Sequence, residues 1–93
     1  MPGLLSPNDI QSRLAALSDW TLEGKTIQTV FSFKNFIEAV EFVNRVVEPA
    51  EAAGHHPDLC IAYNKVTISL TTHDAGGLTQ QDFDMAKTLS NLP

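Results

Sequence analysis

Leu59-Cys60-Ile61-Ala62-Tyr63-Asn64-Lys65-Val66-Thr67-Ile68-Ser69-Leu70 is the stretch that decides the fold. Leu59, Ile61 and Tyr63 alternate with small residues, and Val66, Ile68 and Leu70 alternate with polar ones, the period of half-buried strands. A two-residue turn at Asn64-Lys65 is expected between them, because Asn tolerates a positive φ. That turn pairs Tyr63 with Val66, Ile61 with Ile68 and Leu59 with Leu70. Every large apolar side chain then lies on one face, and Cys60, Ala62, Thr67, Ser69 and Thr71 lie on the other. A slip of one residue in either strand would mix the faces.

The same reasoning extends outward along the chain. Trp20-Thr21-Leu22 reads as a short strand and Glu23-Gly24-Lys25 as a turn. Ile27, Thr29, Phe31 and Phe33 then alternate along a second strand. Ser6 and Pro7 suit the N-cap and first position of a helix whose face is Ile10, Leu14 and Leu17. Asn35, with Glu38 three residues on, starts a second helix in a capping-box-like pattern. Its predicted apolar stripe is Phe36, Val40, Val43 and Val47, widened by Ile37 and Val46, with Phe42 off the stripe. So much apolar surface implies packing on both the sheet and another subunit. Pro49 is expected to kink this helix or start a new turn, and Gly54 to end it. Thr79 caps a last helix, with Asp82 at its third position and Phe83, Ala86 and Leu89 on its face.

The order is therefore α-β-β-α-β-β-α within a single domain, residues 1–93. It implies an α+β two-layer sandwich: a four-stranded antiparallel sheet with three helices on one face. Six scattered Lys and Arg against eleven Asp and Glu leave a net charge of −5. With no basic stripe, a nucleic-acid or membrane-surface role is disfavoured. The N-terminal residues lack the basic and long apolar regions of a secretory signal, and one cysteine makes no internal disulfide, so a cytoplasmic location is expected.

The chain has three histidines. Extending the hairpin register two steps sets His56 opposite His73, on the face away from the helices, with His55 adjacent. Glu51, four residues before His55, is placed to orient it, and Asp82 begins the last helix near the same cleft. Imidazole titrates around pH 6.5, so two imidazoles in different protonation states supply an acid and a base together. A dehydration needs both: the leaving hydroxyl takes up a proton and a neighbouring N–H loses one. Polar loop residues, or a zinc or iron site completed by Glu51 or Asp82, are the competing readings. The chain has no H-E-x-x-H and no paired cysteines, so no metal is assigned. Cys60 is expected to be a packing residue.

Glu51-Ala-Ala-Gly-His55-His56-Pro57, then Tyr63, His73 and Asp82, resembles the pattern of the pterin-4a-carbinolamine dehydratases (4a-hydroxytetrahydrobiopterin dehydratases). The runs Tyr63-Asn64-Lys65-Val66 and Thr71 to Thr79 are similar too, and the likeness covers nearly the whole chain. The resemblance implies the same element order, and a lyase with no cofactor. Its pterin substrate is the carbinolamine left by an aromatic amino acid hydroxylase, and its product is quinonoid dihydropterin, as in tetrahydropterin recycling. It implies a homodimer or homotetramer, with sheets joined edge to edge or second helices bundled; Pro49 weighs against a straight bundle. His55, His56 and His73 match the family's site histidines and are expected to be catalytic; Glu51 and Asp82 match its supporting acids, and together with Pro57 of the His-His-Pro motif they are expected to bind the substrate. His56 or His73 is expected to protonate the 4a-hydroxyl, a neutral histidine to take the N5 proton, and His55 with Glu51 to orient the ring. Some relatives act instead as dimerisation cofactors of a transcription factor or as carboxylase assembly factors. Those of the second kind tend to lack the histidine set, so the retained set favours the enzyme.

Overall fold

The computed structural model describes residues 3–92. Its elements are α1 (Pro7–Leu14), β1 (Thr21–Glu23), β2 (Thr26–Ser32), α2 (Phe36–Ala53), β3 (Asp58–Ala62), β4 (Lys65–Leu70), a one-turn 3-10 helix (His73–Ala75) and α3 (Gln80–Ser90). The predicted α-β-β-α-β-β-α order is thus observed. The sheet is antiparallel throughout, in the order β1-β2-β4-β3. Among the described residues no helix is long and apolar enough to cross a membrane.

The core lies between the helices and the face of the sheet that carries Ile27, Val66, Ile68 and Leu70. The β3–β4 register differs from the expected one by two residues. Leu59 pairs with Ile68 and Ile61 with Val66, so the turn residues are Tyr63 and Asn64. A shift of two keeps every side chain on its predicted face, because strand side chains alternate with period two. The turn is placed by a tertiary contact. Asn64 exchanges bonds with the end of β2: its Nδ2 donates to the Phe33 carbonyl, and its own carbonyl accepts from the Phe33 N–H, both at 2.8 Å. Tyr63 takes the left-handed conformation there, with φ of 55°.

On α2 the apolar surface is shifted from the predicted stripe. Ala39, Phe42, Val46 and Ala50 are the buried positions. Phe42, placed off the stripe by sequence, is 3% exposed and lies against both Phe31 and Phe33, with ring centroids 5.3 and 5.2 Å away. Phe36, Ile37 and Val47 are exposed. The helix surface is more than half apolar, so pattern alone does not show which flank meets the sheet. Asn35 caps α2 by accepting the Glu38 N–H, while Glu38 reaches back to the Lys34 N–H and not to Asn35. Pro49 does not end the helix, which runs on to Ala53. Cys60 is exposed and not a packing residue.

Candidate functional site

His55 owes its position to the end of α2. Gly54 is left-handed, with φ of 61°. The Gly54 N–H donates to the Glu51 carbonyl and the His55 N–H to that of Ala50. This paired closure is a Schellman cap, and it sets the residue after the glycine in a fixed place against the last turn. Glycine is favoured here because a Cβ at that φ crowds its own backbone.

The start of α3 supplies the partner of His55. Thr79 caps the helix: its Oγ1 accepts the Gln81 N–H, and its own N–H donates to Asp82 Oδ2 at 2.9 Å. The second carboxylate oxygen, Oδ1, lies 2.6 Å from His55 Nε2. Asp82 is 0% exposed and His55 8% exposed. Thr72 donates its hydroxyl to Asp82 Oδ2 at 2.8 Å. The carboxylate thus meets three donors, as a buried ionisable group must to offset its lost hydration.

His73 is presented differently from the expectation. β4 ends at Leu70, and His73 opens the one-turn 3-10 helix instead of extending the strand. Thr72 and Gly77 form an isolated bridge, and the Thr72 carbonyl also accepts the N–H groups of Ala75 and Gly76. This closes a tight loop from Thr72 to Gly77, with Gly76 at φ of 76°. With the observed β3–β4 register, an extension toward His56 would set it beside Thr71 and not opposite His73.

The three imidazoles nevertheless share one cleft. Gly54, His55, His56, Thr71, Thr72, His73, Asp74 and Gln81 line a space of about 410 Å³, within the range of about 300–1,000 Å³ common for small-molecule sites. His55 also walls a smaller cavity of about 160 Å³ that includes Pro49, Gln81 and Met85. A larger space of about 580 Å³ between α1 and α3, beside Arg13, Trp20 and Lys87, contains no histidine. The convergence of titratable groups, and not size, singles out the histidine cleft.

The acids are distributed differently from the sequence reading. Glu51 does not orient His55; its Oε2 lies 2.6 Å from His56 Nε2, and both side chains are exposed. Asp82, shielded from solvent, holds His55 in place and is not itself a wall of the cleft. Pro57 is half-buried and lies outside the cleft lining. Thr72 and Gln81 were not singled out by sequence. A threonine gives no chemical signal in a sequence, and only the fold shows its hydroxyl on Asp82. Among the described residues no three His, Cys, Asp or Glu side chains gather closely enough to hold a metal ion.

A sequence profile described as "Pterin 4 alpha carbinolamine dehydratase" matches residues 3–92. The chain belongs to the pterin-4a-carbinolamine dehydratase family. A relative from Nostoc sp. is 63% identical over 92 residues, 99% of each chain. One from Acidobacterium capsulatum is 50% identical over 88 residues, 95% of this chain and 96% of its own. Both bear the name pterin-4-alpha-carbinolamine dehydratase, assigned provisionally. Among solved structures, a dehydratase-family protein from Brucella melitensis, described as a transcriptional coactivator/pterin dehydratase, superposes with a TM-score of 0.89. It is 33% identical, covering 95% of this chain and 96% of that one. A pterin dehydratase-like protein described as a RuBisCO assembly factor of the alpha-carboxysome superposes with a TM-score of 0.64. Its identity is 20% over 76% of this chain and 84% of that one, a likeness of fold alone.

Proposed function

We propose that the chain dehydrates a 4a-hydroxytetrahydropterin to the quinonoid dihydropterin, with His55, His56 and His73 as its acid–base groups and no cofactor. The observation that carries this reading is the single cleft lined by all three histidines of the chain. Family membership supports the pterin substrate and the dehydratase class.

The reaction needs one proton delivered and one removed. An imidazolium, His56 or His73, donates to the 4a-oxygen; the C4a–O bond breaks and water leaves. The N5 proton passes to a neutral imidazole, and its bonding pair forms the C4a=N5 double bond. From sequence, His55 and Glu51 are expected to orient the ring. The contacts favour a different division: His55, backed by buried Asp82, suits the proton acceptor, since the carboxylate stabilises the imidazolium that forms. Exposed His56, held by Glu51, and exposed His73 suit the donor. The departing water and the exchanged protons leave through the open side of the cleft.

The test is a spectrophotometric dehydration assay on enzymatically generated carbinolamine. Wild-type protein accelerates the reaction over buffer, and His56→Ala and His73→Ala each lower turnover, on the order of 10²-fold or more if they serve in general acid–base steps. Wild-type turnover in both variants would remove these roles. No acceleration by wild type would leave a scaffold or assembly protein.

The chain is further proposed to form a homo-oligomer through α2, supported by exposed Phe36, Ile37 and Val47 on one helix. Light scattering of wild type and of Ile37→Glu checks this; a monomer in the wild type overturns it.

A further inference from the structure

Thr72 sits between the two parts of the cleft that approach from different elements. Its backbone closes the loop that begins with His73: the carbonyl accepts from Ala75, Gly76 and Gly77, and the N–H donates to the Gly77 carbonyl. Its side chain points the other way in function. Oγ1 donates to Asp82 Oδ2 at 2.8 Å and lies 2.8 Å from Thr79 Oγ1, all within the interior.

Counting protons assigns each bond a direction. A hydroxyl has one proton. Thr72 gives its proton to Asp82, so Thr79 donates to Thr72 and uses its own lone pair to accept the Gln81 N–H. Asp82 Oδ2 then receives two donors, Thr72 O–H and Thr79 N–H. Oδ1 is left facing His55 Nε2. An ionised carboxylate only accepts, so neutral His55 carries its proton on Nε2 and its lone pair on Nδ1. Nδ1 has no protein partner among the described residues, and no side-chain nitrogen or oxygen there is buried without one. Nδ1 is therefore not sealed in the interior, and His55 lines two cavities.

We propose that Thr72 is a positioning residue of the cleft: its hydroxyl, itself oriented by Thr79, holds Asp82 so that neutral His55 keeps its lone pair on Nδ1. The consequence for catalysis rests on the dehydratase reading above; the tautomer does not. Nitrogen-15 NMR of the imidazoles tests the tautomer without any turnover, with His55 assigned from a His55→Gln spectrum. Wild-type His55 is expected to show the Nε2–H form. Thr72→Val, nearly isosteric, is expected to add the Nδ1–H form and to lower kcat on the order of tenfold, by analogy with the outer-shell partners that orient metal-bound imidazoles, with KM changed less than about twofold. Thr72→Ser is expected to restore both readouts, which a purely packing role would not require.

An Nδ1–H tautomer in the wild type overturns the proposal, and this holds even if the valine variant does not fold. An unchanged His55 spectrum in folded Thr72→Val also overturns it. A tautomer shift in a protein with no dehydratase activity supports the positioning role and sinks the functional reading instead.

Discussion

His55 Nε2 and Asp82 Oδ1 meet at 2.6 Å across 27 residues of sequence, both out of solvent. The contact joins the end of α2 to the start of α3. It fastens the fold and sets the orientation of one imidazole of the cleft.

Removing that carboxylate should therefore cost both stability and activity. Asp82→Ala leaves the Thr79 N–H, the Thr72 hydroxyl and the His55 ring without their acceptor. We expect a loss of roughly 3 kcal/mol or more, as for other buried pairs broken on one side. Asp82→Asn retains one good acceptor and should fall between. Urea unfolding measures both, and an alanine variant within about 1 kcal/mol of wild type would show that the network contributes little.

Glu51 makes a bond of the same length to His56, yet in solvent. Exposed pairs contribute only about 0–1 kcal/mol, because water competes and two side chains lose freedom. Glu51→Ala should leave the unfolding curve almost in place while lowering dehydration turnover through a less well-held His56. A large stability loss with unchanged turnover would reverse this assignment.

Gly54→Ala isolates the cap. A Cβ at this position meets nothing within 4 Å, so the cost is that of the left-handed backbone alone. That cost is about 1–2 kcal/mol. Gly54→Asn should lose less, since Asn visits this conformation more readily. Equal stabilities for all three proteins in thermal unfolding would mean that the cap is not under this constraint.

Tyr63 presents the converse case: a non-glycine residue at φ of 55°, 68% exposed at the tip of the β3–β4 hairpin. Tyr63→Asn relieves the backbone at little expense in contacts, and should raise stability by about 0.5–1 kcal/mol. A destabilised variant would show that the tyrosine ring makes contacts in solution that outweigh the strain.

The element order, the faces of each strand and the caps of all three helices were legible in the amino acids, because each depends on periodicity or on residues within a few positions. Ser6, Asn35 and Thr79 cap where their spacing indicated. The gathering of the histidines in one cleft was also legible, although by a register two residues off. Alternation constrains a strand only to within an even shift, so it sets which side a residue faces and not which residue lies opposite. The choice between registers came from Asn64 binding the end of β2, a contact between segments 31 residues apart. Which flank of α2 is buried was likewise settled by the sheet, through Phe42 fitting against Phe31 and Phe33. The pairing of acids with imidazoles followed the same rule. Glu51 lies near both His55 and His56 in sequence, and the left-handed turn at Gly54 directs it to the second; Asp82 reaches the first only after α2 and α3 dock. Local sequence thus determined the pieces and their faces, while the partners of Asn64, Phe42 and Asp82 were chosen by tertiary packing, because contacts between distant segments exist only once the chain has folded.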